Sequence, residues 1–235
     1  MNIDEANSKK GELHAVDKIL FDNHPSPVWE AMMKLHRSHV NSTTPCFGPL
    51  LYWWIRAIGA CNVIEIGVAQ GYTSWFMASA IKDNNVRYGC NGKYVAIDIA
   101  DKRPLFQPMI DDGLPIEVIT NESIKYLETQ KMFAPGTLDL AFVDGWHNDK
   151  YVRREMELIY PLLKNKGEGY AFLHDIYGYC ERIYDEIVKN PNYKWEHIRL
   201  MNNYGLGILR KMENYDYTKI YWPEGDQPEA QGFIR

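Results

Sequence analysis

From residue 62 onward the chain alternates short apolar runs with longer amphipathic segments, and this alternation constrains the fold more than any other feature. The apolar runs predict five strands, at Val63–Ile66, Tyr94–Ile97, Ile116–Ile119, Leu138–Val143 and Tyr170–Leu173. The segments between them predict four helices, at Tyr72–Ile81, Ser123–Gln130, Asp149–Leu163 and Tyr179–Lys189. Continuously apolar strands separated by helices are typical of an α/β fold, with a parallel sheet covered by helices on both faces.

The two ends of the chain depart from this alternation. Residues 1–60 read as helices, and we expect this segment to form a lid over the acceptor site, since such regions are where specificity varies. The runs Trp195–Leu200 and Gly205–Arg210, joined by a short asparagine-rich turn, predict an antiparallel hairpin at the C-terminal end of the sheet. We therefore divide the chain into a helical lid (1–60), a ligand-binding core (61–212) and an irregular arm (213–235).

Charge and composition exclude several classes of partner. The formal net charge of -5 provides no basic surface of the kind that a phosphate backbone requires. The most apolar window, Phe47–Ala60, is too short to span a bilayer and contains Arg56. The cysteines are far apart, without a CxxC pair, and we expect them to be isolated thiols of a reducing cytoplasm. The sequence thus predicts a cytoplasmic protein that binds neither nucleic acid nor a membrane, and it leaves a homo-oligomer open.

Glycines and polar residues follow the predicted strands, at the edge where ligands bind in an open α/β sheet. The first strand runs into Glu65-Ile66-Gly67-Val68-Ala69-Gln70-Gly71, whose glycines let the backbone turn sharply and approach a ligand. Asp98 ends the second strand and is placed to accept hydrogen bonds from ribose hydroxyls. Asn121-Glu122-Ser123 follows the third strand, near where an adenine would lie. The fourth and fifth strands end in Asp144-Gly145-Trp146-His147 and His174-Asp175.

The carboxylate of Glu65 distinguishes between two nucleotide cofactors. The glycine spacing is Gly-x-x-x-Gly rather than the Gly-x-Gly-x-x-Gly of dinucleotide sites, and Glu65 lies two residues before Gly67. A carboxylate there repels a pyrophosphate, whereas it attracts a sulfonium cofactor that carries an amino group. The pattern favours S-adenosylmethionine, and an NAD-linked oxidoreductase is the enzymatic alternative.

These motifs resemble those of a known family over about residues 50–210. Residues 65–74 look like motif I of class I S-adenosylmethionine-dependent methyltransferases, especially the catechol O-methyltransferase-like branch. Residues 142–147, 161–163 and 172–175 are similar to the related family often labelled methyltransferase 24. The resemblance implies a Rossmann-like sheet, bound S-adenosylmethionine and O-methylation of a small molecule such as a sugar, a natural product or a catechol. It implies cofactor contacts at Glu65, Gly67, Gly71, Asp98, Ser123 and Asp144.

The resemblance also implies where the chemistry takes place. In that family the aspartate after the fourth strand and residues after the fifth commonly bind a divalent metal and the acceptor hydroxyl. Some members carry a basic residue three positions after that aspartate, which is His147 here. Asp144, His174 and Asp175 are accordingly the predicted ligands of Mg²⁺ or another divalent cation. His147, Asp144 and Asp175 are the predicted catalytic residues, with His147 as general base.

Several alternatives stay open from the sequence. The catechol enzymes have an Asp-Asn pair after the fifth strand, so His174 and Asp175 could instead form a metal-free hydrogen-bonded pair. His147 could simply cap the helix that follows it. A module that binds the nucleoside without catalysing a reaction is the alternative from another functional class, although the set of Asp144, His147 and Asp175 argues against it.

Overall fold

The computed structural model of the chain describes residues 47–200 and 204–216. Within these ranges the chain forms six helices and seven strands. In chain order they are α1 (Phe47–Ile58), β1 (Asn62–Ile66), α2 (Tyr72–Tyr88), β2 (Lys93–Asp98), α3 (Arg103–Asp111), β3 (Ile116–Thr120), α4 (Ser123–Thr129), β4 (Leu140–Val143), α5 (Asp149–Leu162), β5 (Tyr170–His174), α6 (Glu181–Lys189), β6 (Trp195–Leu200) and β7 (Leu206–Lys211).

The described strands form one sheet in the order β3-β2-β1-β4-β5-β7-β6. Strand β1 pairs in parallel with β2 on one side and with β4 on the other, whereas β7 runs antiparallel to both β5 and β6. The chain moves outward from β1 to β3 and then returns to β4, so the strand order reverses between β1 and β4. The structure confirms the predicted Rossmann-like sheet with an antiparallel C-terminal hairpin.

Helices cover both faces of this sheet because successive side chains of a strand point to opposite sides. One buried apolar layer contains residues of α1, α2 and α3, including Phe47, Phe76 and Phe106. The other contains residues of α4, α5 and α6, including Met156 and Ile183. The sheet is therefore buried between two helical layers, as its continuously apolar strands predict.

Helix α3 is an element that the apolar pattern does not predict. Its two prolines interrupt the helical signal of the sequence. Pro104 lies in the first turn, where a missing N–H costs little, and Pro108 lies inside the helix. The helix forms because Phe106 and Met109 are buried against the sheet, so tertiary packing outweighs a weak local preference.

The N-terminal segment is described only from Phe47 onward. Helix α1 packs against α2 and contributes Leu51 and Ile55 to the core. The rest of the predicted lid, residues 1–46, and the predicted arm beyond residue 216 lie outside the described residues, so the proposed domain boundaries stay predictions. Among the described helices, none combines the length and apolar character that crossing a bilayer would require.

The expectation of isolated thiols was wrong for one pair of cysteines. Cys61 and Cys90 form a disulfide across 29 residues of sequence. Cys61 directly precedes β1, and Cys90 lies shortly before β2. Because β1 and β2 pair in parallel from Asn62 and Lys93 onward, the segments that lead into them start side by side. Cys180 is a buried free thiol.

Candidate functional site

A cavity of about 580 Å³ lies at the carboxyl ends of the central strands. It is located where the strand order reverses, which is the usual ligand position in an open α/β sheet. Its volume lies within the range of roughly 300–1,000 Å³ typical of small-molecule and cofactor sites. Four of the six predicted cofactor residues line it, namely Gly67, Asp98, Ser123 and Asp144.

The turn after β1 adopts a backbone that favours glycine. Gly67, Ala69 and Gly71 have φ angles of 82°, 47° and 74°. A Cβ atom on Gly67 would lie 2.1 Å from the backbone oxygen of Asp144, so a side chain there would push the ends of β1 and β4 apart. Gly71 does not line the cavity but provides the left-handed residue at which α2 begins. The two glycines therefore shape the cavity wall, one by close approach and one by conformation.

Asp98 joins the ends of β1 and β2. Its carboxylate accepts hydrogen bonds from the backbone N–H groups of Val68, at 3.1 Å, and Ala100, at 2.8 Å. Lys102 lies 3.7 Å away as an ionic partner. An ionised carboxylate has about four lone-pair sites, so these contacts leave Asp98 able to accept further hydrogen bonds from a ligand in the cavity.

Ser123 and Glu155 form a hydrogen-bonded pair at another wall of the cavity. The Ser123 hydroxyl, at the start of α4, donates to Glu155 Oε1 on α5. Burial raises the pKa of Glu155 to about 7, although the Ser123 hydrogen bond opposes the shift. Glu155 was not predicted from the sequence. Its signal was available, because Glu155 lies three residues after Val152 and four before Ile159, on the apolar face of the helix.

Glu65 is not brought together with the other predicted cofactor residues. Alternation along β1 directs its side chain to the face covered by α2, away from the cavity. The fully buried carboxylate accepts hydrogen bonds from the hydroxyls of Thr73, at 2.5 Å, and of Ser74 and Tyr94. Burial raises the pKa of Glu65 to about 8, and the hydrogen bonds from Ser74 and Thr73 only partly oppose it. Glu65 thus connects β1, β2 and α2 from within the protein.

All four predicted catalytic and metal-binding residues meet at the ends of β4 and β5. His174 Nδ1 lies 2.9 Å from Asp144 Oδ1. His147 Nε2 lies 3.3 Å from the same Asp144 oxygen and 3.1 Å from Asp175 Oδ2. Asp175 has a φ of 56°, a left-handed conformation that few non-glycine residues adopt. Neighbouring parallel strands end at the same edge, so residues 30 positions apart form one cluster.

The charges of this His–Asp cluster (Asp144, His147, His174 and Asp175) depend on each other. Burial acts to raise the pKa of Asp144, but hydrogen bonds with both histidines outweigh it and lower that pKa. The hydrogen bond with Asp144 raises the pKa of His147. Burial acts to lower the pKa of His174, yet Asp144 and Asp175 raise it overall. Burial raises the pKa of Asp175. The neighbouring carboxylates therefore make both imidazoles stronger bases than an ordinary histidine.

Three members of the cluster have the arrangement of a metal site. Asp144, His174 and Asp175 each offer one ligand atom, and these atoms lie within 4.8 Å of one another. The His174 atom that faces both carboxylates is Nδ1, which lies 3.2 Å from Asp175 Oδ1 as well as close to Asp144. Two carboxylates and an imidazole form a donor set suited to a divalent cation. The predicted ligands are thus placed where they could hold one.

Aromatic rings enclose the His–Asp cluster. Tyr179 stacks on the ring of His147 at a centroid distance of 5.7 Å, and Phe47 of α1 contacts the ring of His174 edge-on at 5.3 Å. Trp146 lines the cavity and packs against Tyr151 at 4.4 Å, yet it is 61% exposed. Tyr179 and Phe47 were not recognised from the sequence, because neither belongs to a strand-end motif.

A second cavity, of about 360 Å³, opens beside the His–Asp cluster. Its lining comprises His147, Asn148, Asp149, Lys150 and Arg182. Asp144 faces the larger cavity and His147 faces this one. Because the two residues are in contact, the cluster borders both cavities.

The sequence of residues 64–176 matches a family model described as a methyltransferase domain. These residues include β1 from its third residue onward, the five strand-end segments and the whole His–Asp cluster. A comparison with curated proteins found no match.

Solved structures share the fold at low sequence identity. An O-methyltransferase from Bacillus cereus in complex with SAH has 17% identity and a TM-score of 0.60, over 84% of this chain and 97% of that one. The O-methyltransferase TomG from Streptomyces achromogenes, in complex with SAM, has 16% identity and a TM-score of 0.60, over 87% and 99%. A SAH-bound methyltransferase from Podospora anserina has 14% identity and a TM-score of 0.61, over 91% and 97%.

Proposed function

We propose that this chain, whose residues 64–176 match a methyltransferase-domain model, transfers a methyl group from S-adenosylmethionine to a hydroxyl of a small molecule. The observation that carries the proposal is the contact between Asp144 and His147. It places a group that can accept a proton directly beside the wall of a cofactor-sized cavity. A binding module without chemistry would not need such a group there.

The larger cavity suits the adenosyl part of the cofactor. We place the ribose hydroxyls at Asp98, which has acceptor capacity left, and the base near Ser123. The turn from Gly67 to Gly71 then lies beside the amino-acid end, and Asp144 lies near the sulfur. Bound S-adenosylmethionine supplies a methyl group on a positively charged sulfur, and the carboxylate of Asp144 suits that charge. The SAM and SAH complexes of the structural relatives support this cofactor.

The proposed base is His147, acting through its Nδ1 atom. Its Nε2 atom lies near the carboxylates of Asp144 and Asp175, so the Nε2–H donates to them. In a neutral imidazole the other nitrogen is then the acceptor. Nδ1 accepts the proton of the acceptor hydroxyl, while the two carboxylates orient the ring and stabilise its positive charge. Stacking of Tyr179 on the ring restricts its rotation.

A divalent cation is compatible with this assignment. Asp144, His174 and Asp175 would hold it, on the grounds of their spacing and of the His174 Nδ1 atom, which lies 2.9 Å from Asp144 Oδ1 and 3.2 Å from Asp175 Oδ1. Such an ion, when bound, lowers the pKa of a coordinated hydroxyl. The protein residues still have to align the hydroxyl with the methyl group, and this alignment by itself accelerates the transfer.

We propose that the acceptor is a small molecule such as a sugar, a natural product or a catechol, and that it enters from the side of the second cavity. Neither nucleic acid nor a membrane is part of the proposal, and a homo-oligomer is left open. We propose the cytoplasm as the location. A disulfide is rare in that compartment, so the redox state of Cys61 and Cys90 tests the proposed location directly.

The experiment that tests the function is a binding comparison followed by a transfer assay. Calorimetry should show S-adenosylhomocysteine bound with micromolar-scale affinity, about 8 kcal/mol, and no binding of NAD. Radiolabelled methyl groups should then move from S-adenosylmethionine to a member of an acceptor panel of catechols, sugars and phenolic natural products. No binding of S-adenosylhomocysteine would overturn the proposal. Binding of NAD instead would indicate the oxidoreductase.

A further inference from the structure

A buried carboxylate in the wall of the larger cavity is not used by the proposed reaction. Glu155 is 1% exposed, and its Oε1 atom accepts the hydrogen bond from Ser123. Its Oε2 atom is buried and has no hydrogen-bond partner among the described residues. Burying a carboxylate without full hydrogen bonding costs free energy. A methionine of similar size would fill the same place without that cost.

The neighbours of Glu155 are arranged to leave it at the cavity wall. Val152 and Met156 of the same helix are buried in the apolar layer. Gly145 lies on the cavity side, and a Cβ atom there would lie 3.0 Å from Ile66 Cγ2 and 3.9 Å from Glu155 Oε1. A larger residue at position 145 would therefore crowd the wall between β1 and the carboxylate. The pair of Ser123 and Glu155 is left beside the space assigned to the base.

The hydrogen bond to Glu155 determines what Ser123 can offer a ligand. A serine hydroxyl has one hydrogen to donate and two lone pairs to accept with. An ionised carboxylate has no hydrogen, so Ser123 must donate in this contact. Its lone pairs are then the groups available to a ligand in the cavity. A hydrogen-bond acceptor of the protein at this place binds an amino group of the ligand and repels a carbonyl oxygen of the ligand.

We propose that Glu155 is a positioning residue that holds the Ser123 hydroxyl as a hydrogen-bond acceptor for the exocyclic amino group of adenine, so that the site selects a 6-aminopurine over a 6-oxopurine. This inference rests on the proposed function, because it assigns the base of the cofactor to this wall. Without the carboxylate, the hydroxyl rotates freely and can donate to a carbonyl oxygen equally well. The selectivity then disappears even though Ser123 is still present.

The test compares two ligands, S-adenosylhomocysteine and S-inosylhomocysteine, which differ at the 6-position of the purine. Calorimetry at pH 8 keeps Glu155 ionised, since its pKa is raised to about 7. The wild type should bind the amino compound roughly tenfold more tightly or better. Glu155→Met and Ser123→Ala should bring the ratio close to one. Glu155→Gln should keep most of the preference, because its amide oxygen can still accept from Ser123.

Glu157→Gln is the matched control, because Glu157 lies on the same helix, is partly exposed and pairs with Arg154. It should leave both affinities unchanged. Thermal melts identify any variant that fails to fold, and in that case Ser123→Ala and Glu155→Gln still decide the matter. Wild type that binds neither ligand would overturn the proposed function. Wild type that binds both equally, or a folded Glu155→Met variant that keeps the preference, would overturn this inference alone.

Discussion

His147 Nε2 lies 3.1 Å from Asp175 Oδ2, although the two residues follow different strands. His147 lies in the turn after β4, and Asp175 directly follows β5. The contact exists because β4 and β5 are neighbours in the sheet and because Asp175 adopts a left-handed backbone conformation. It aims the Nε2–H of His147 at a carboxylate and leaves Nδ1 as the basic atom.

Replacing His147 tests its role as the general base. His147→Ala should reduce kcat by roughly 10²–10⁴-fold and should change the affinity for S-adenosylhomocysteine little, because His147 does not line the larger cavity. Steady-state kinetics and calorimetry measure the two quantities. His197→Ala, on the exposed surface of β6, is the control and should leave kcat unchanged. A loss of less than about tenfold in His147→Ala would remove His147 from the role of base.

A divalent cation should bind at the His–Asp cluster. Calorimetry with Mn²⁺ should show one site in the wild type, and both Asp144→Asn and Asp175→Asn should weaken it strongly, because each removes a charged ligand. A chelator should stop turnover, and Mg²⁺ or Mn²⁺ should restore it. Asp111→Asn, on the exposed surface of α3, should bind Mn²⁺ as the wild type does. Full activity after chelation, without measurable Mn²⁺ binding, would exclude activation by a metal. His147 would then activate the hydroxyl without one.

Asp98 should contribute to cofactor affinity through the ribose hydroxyls. Asp98→Ala should weaken the binding of S-adenosylhomocysteine by roughly 1–3 kcal/mol. Part of that loss can come from the turn, since Asp98 also accepts from the N–H groups of Val68 and Ala100. Val68 and Ala100 donate to different oxygens of Asp98, so Asp98→Asn keeps an acceptor for only one of them and should lose less than Asp98→Ala. Asp101→Ala in the same loop is the control, and an equal loss in that variant would argue against a direct contact.

Stability should depend on pH through Glu65. Its pKa in the folded state, about 8, exceeds the ordinary value of 4.5, so the folded state binds this proton more tightly than the unfolded state. The stabilisation of the folded state by this proton is complete below pH 4.5. It decreases as the pH rises towards 8, by up to about 1.4 kcal/mol per pH unit. Glu65→Gln cannot titrate. Its free energy of unfolding relative to wild type should therefore increase between pH 5 and pH 8.

Denaturant melts at several pH values measure this difference for Glu65→Gln. A constant difference between Glu65→Gln and the wild type over that range would show that burial does not perturb Glu65 as described.

The disulfide between Cys61 and Cys90 should stabilise the fold. In the chain-entropy model a loop of this length contributes roughly 3–4 kcal/mol, so reductant should lower the Tm of the wild type. A Cys61→Ser/Cys90→Ser variant should have the lower Tm already and should not respond to reductant. Alkylation of the unreduced protein from cells, followed by mass spectrometry, tests the proposed location, because two unlabelled cysteines would count against the cytoplasm. Labelling of both would show free thiols, as the sequence analysis expected, and would support a reducing compartment.

Local sequence was enough to predict much of the sheet and its binding edge. The apolar runs of β2, β4 and β5 are continuous because both faces of each strand are buried, and that pattern needs no knowledge of the neighbours. Gly67, Asp98 and Asp144 were found because a parallel sheet places all its strand ends at one edge. Their position at one edge of the sheet therefore follows from the parallel direction of the strands alone.

Other features depended on which elements are neighbours and which face a side chain takes. Glu65 lies in the predicted motif, yet strand alternation and the position of α2 direct it into the core rather than the cavity. Cys61 and Cys90 meet because β1 and β2 pair in register, and Glu155 reaches the cavity because α5 packs beside α4. The sequence by itself determined the strands and their polar ends, since burial leaves a local pattern. Only the tertiary structure decided these contacts, because they join residues far apart in the chain through packing that no local pattern records.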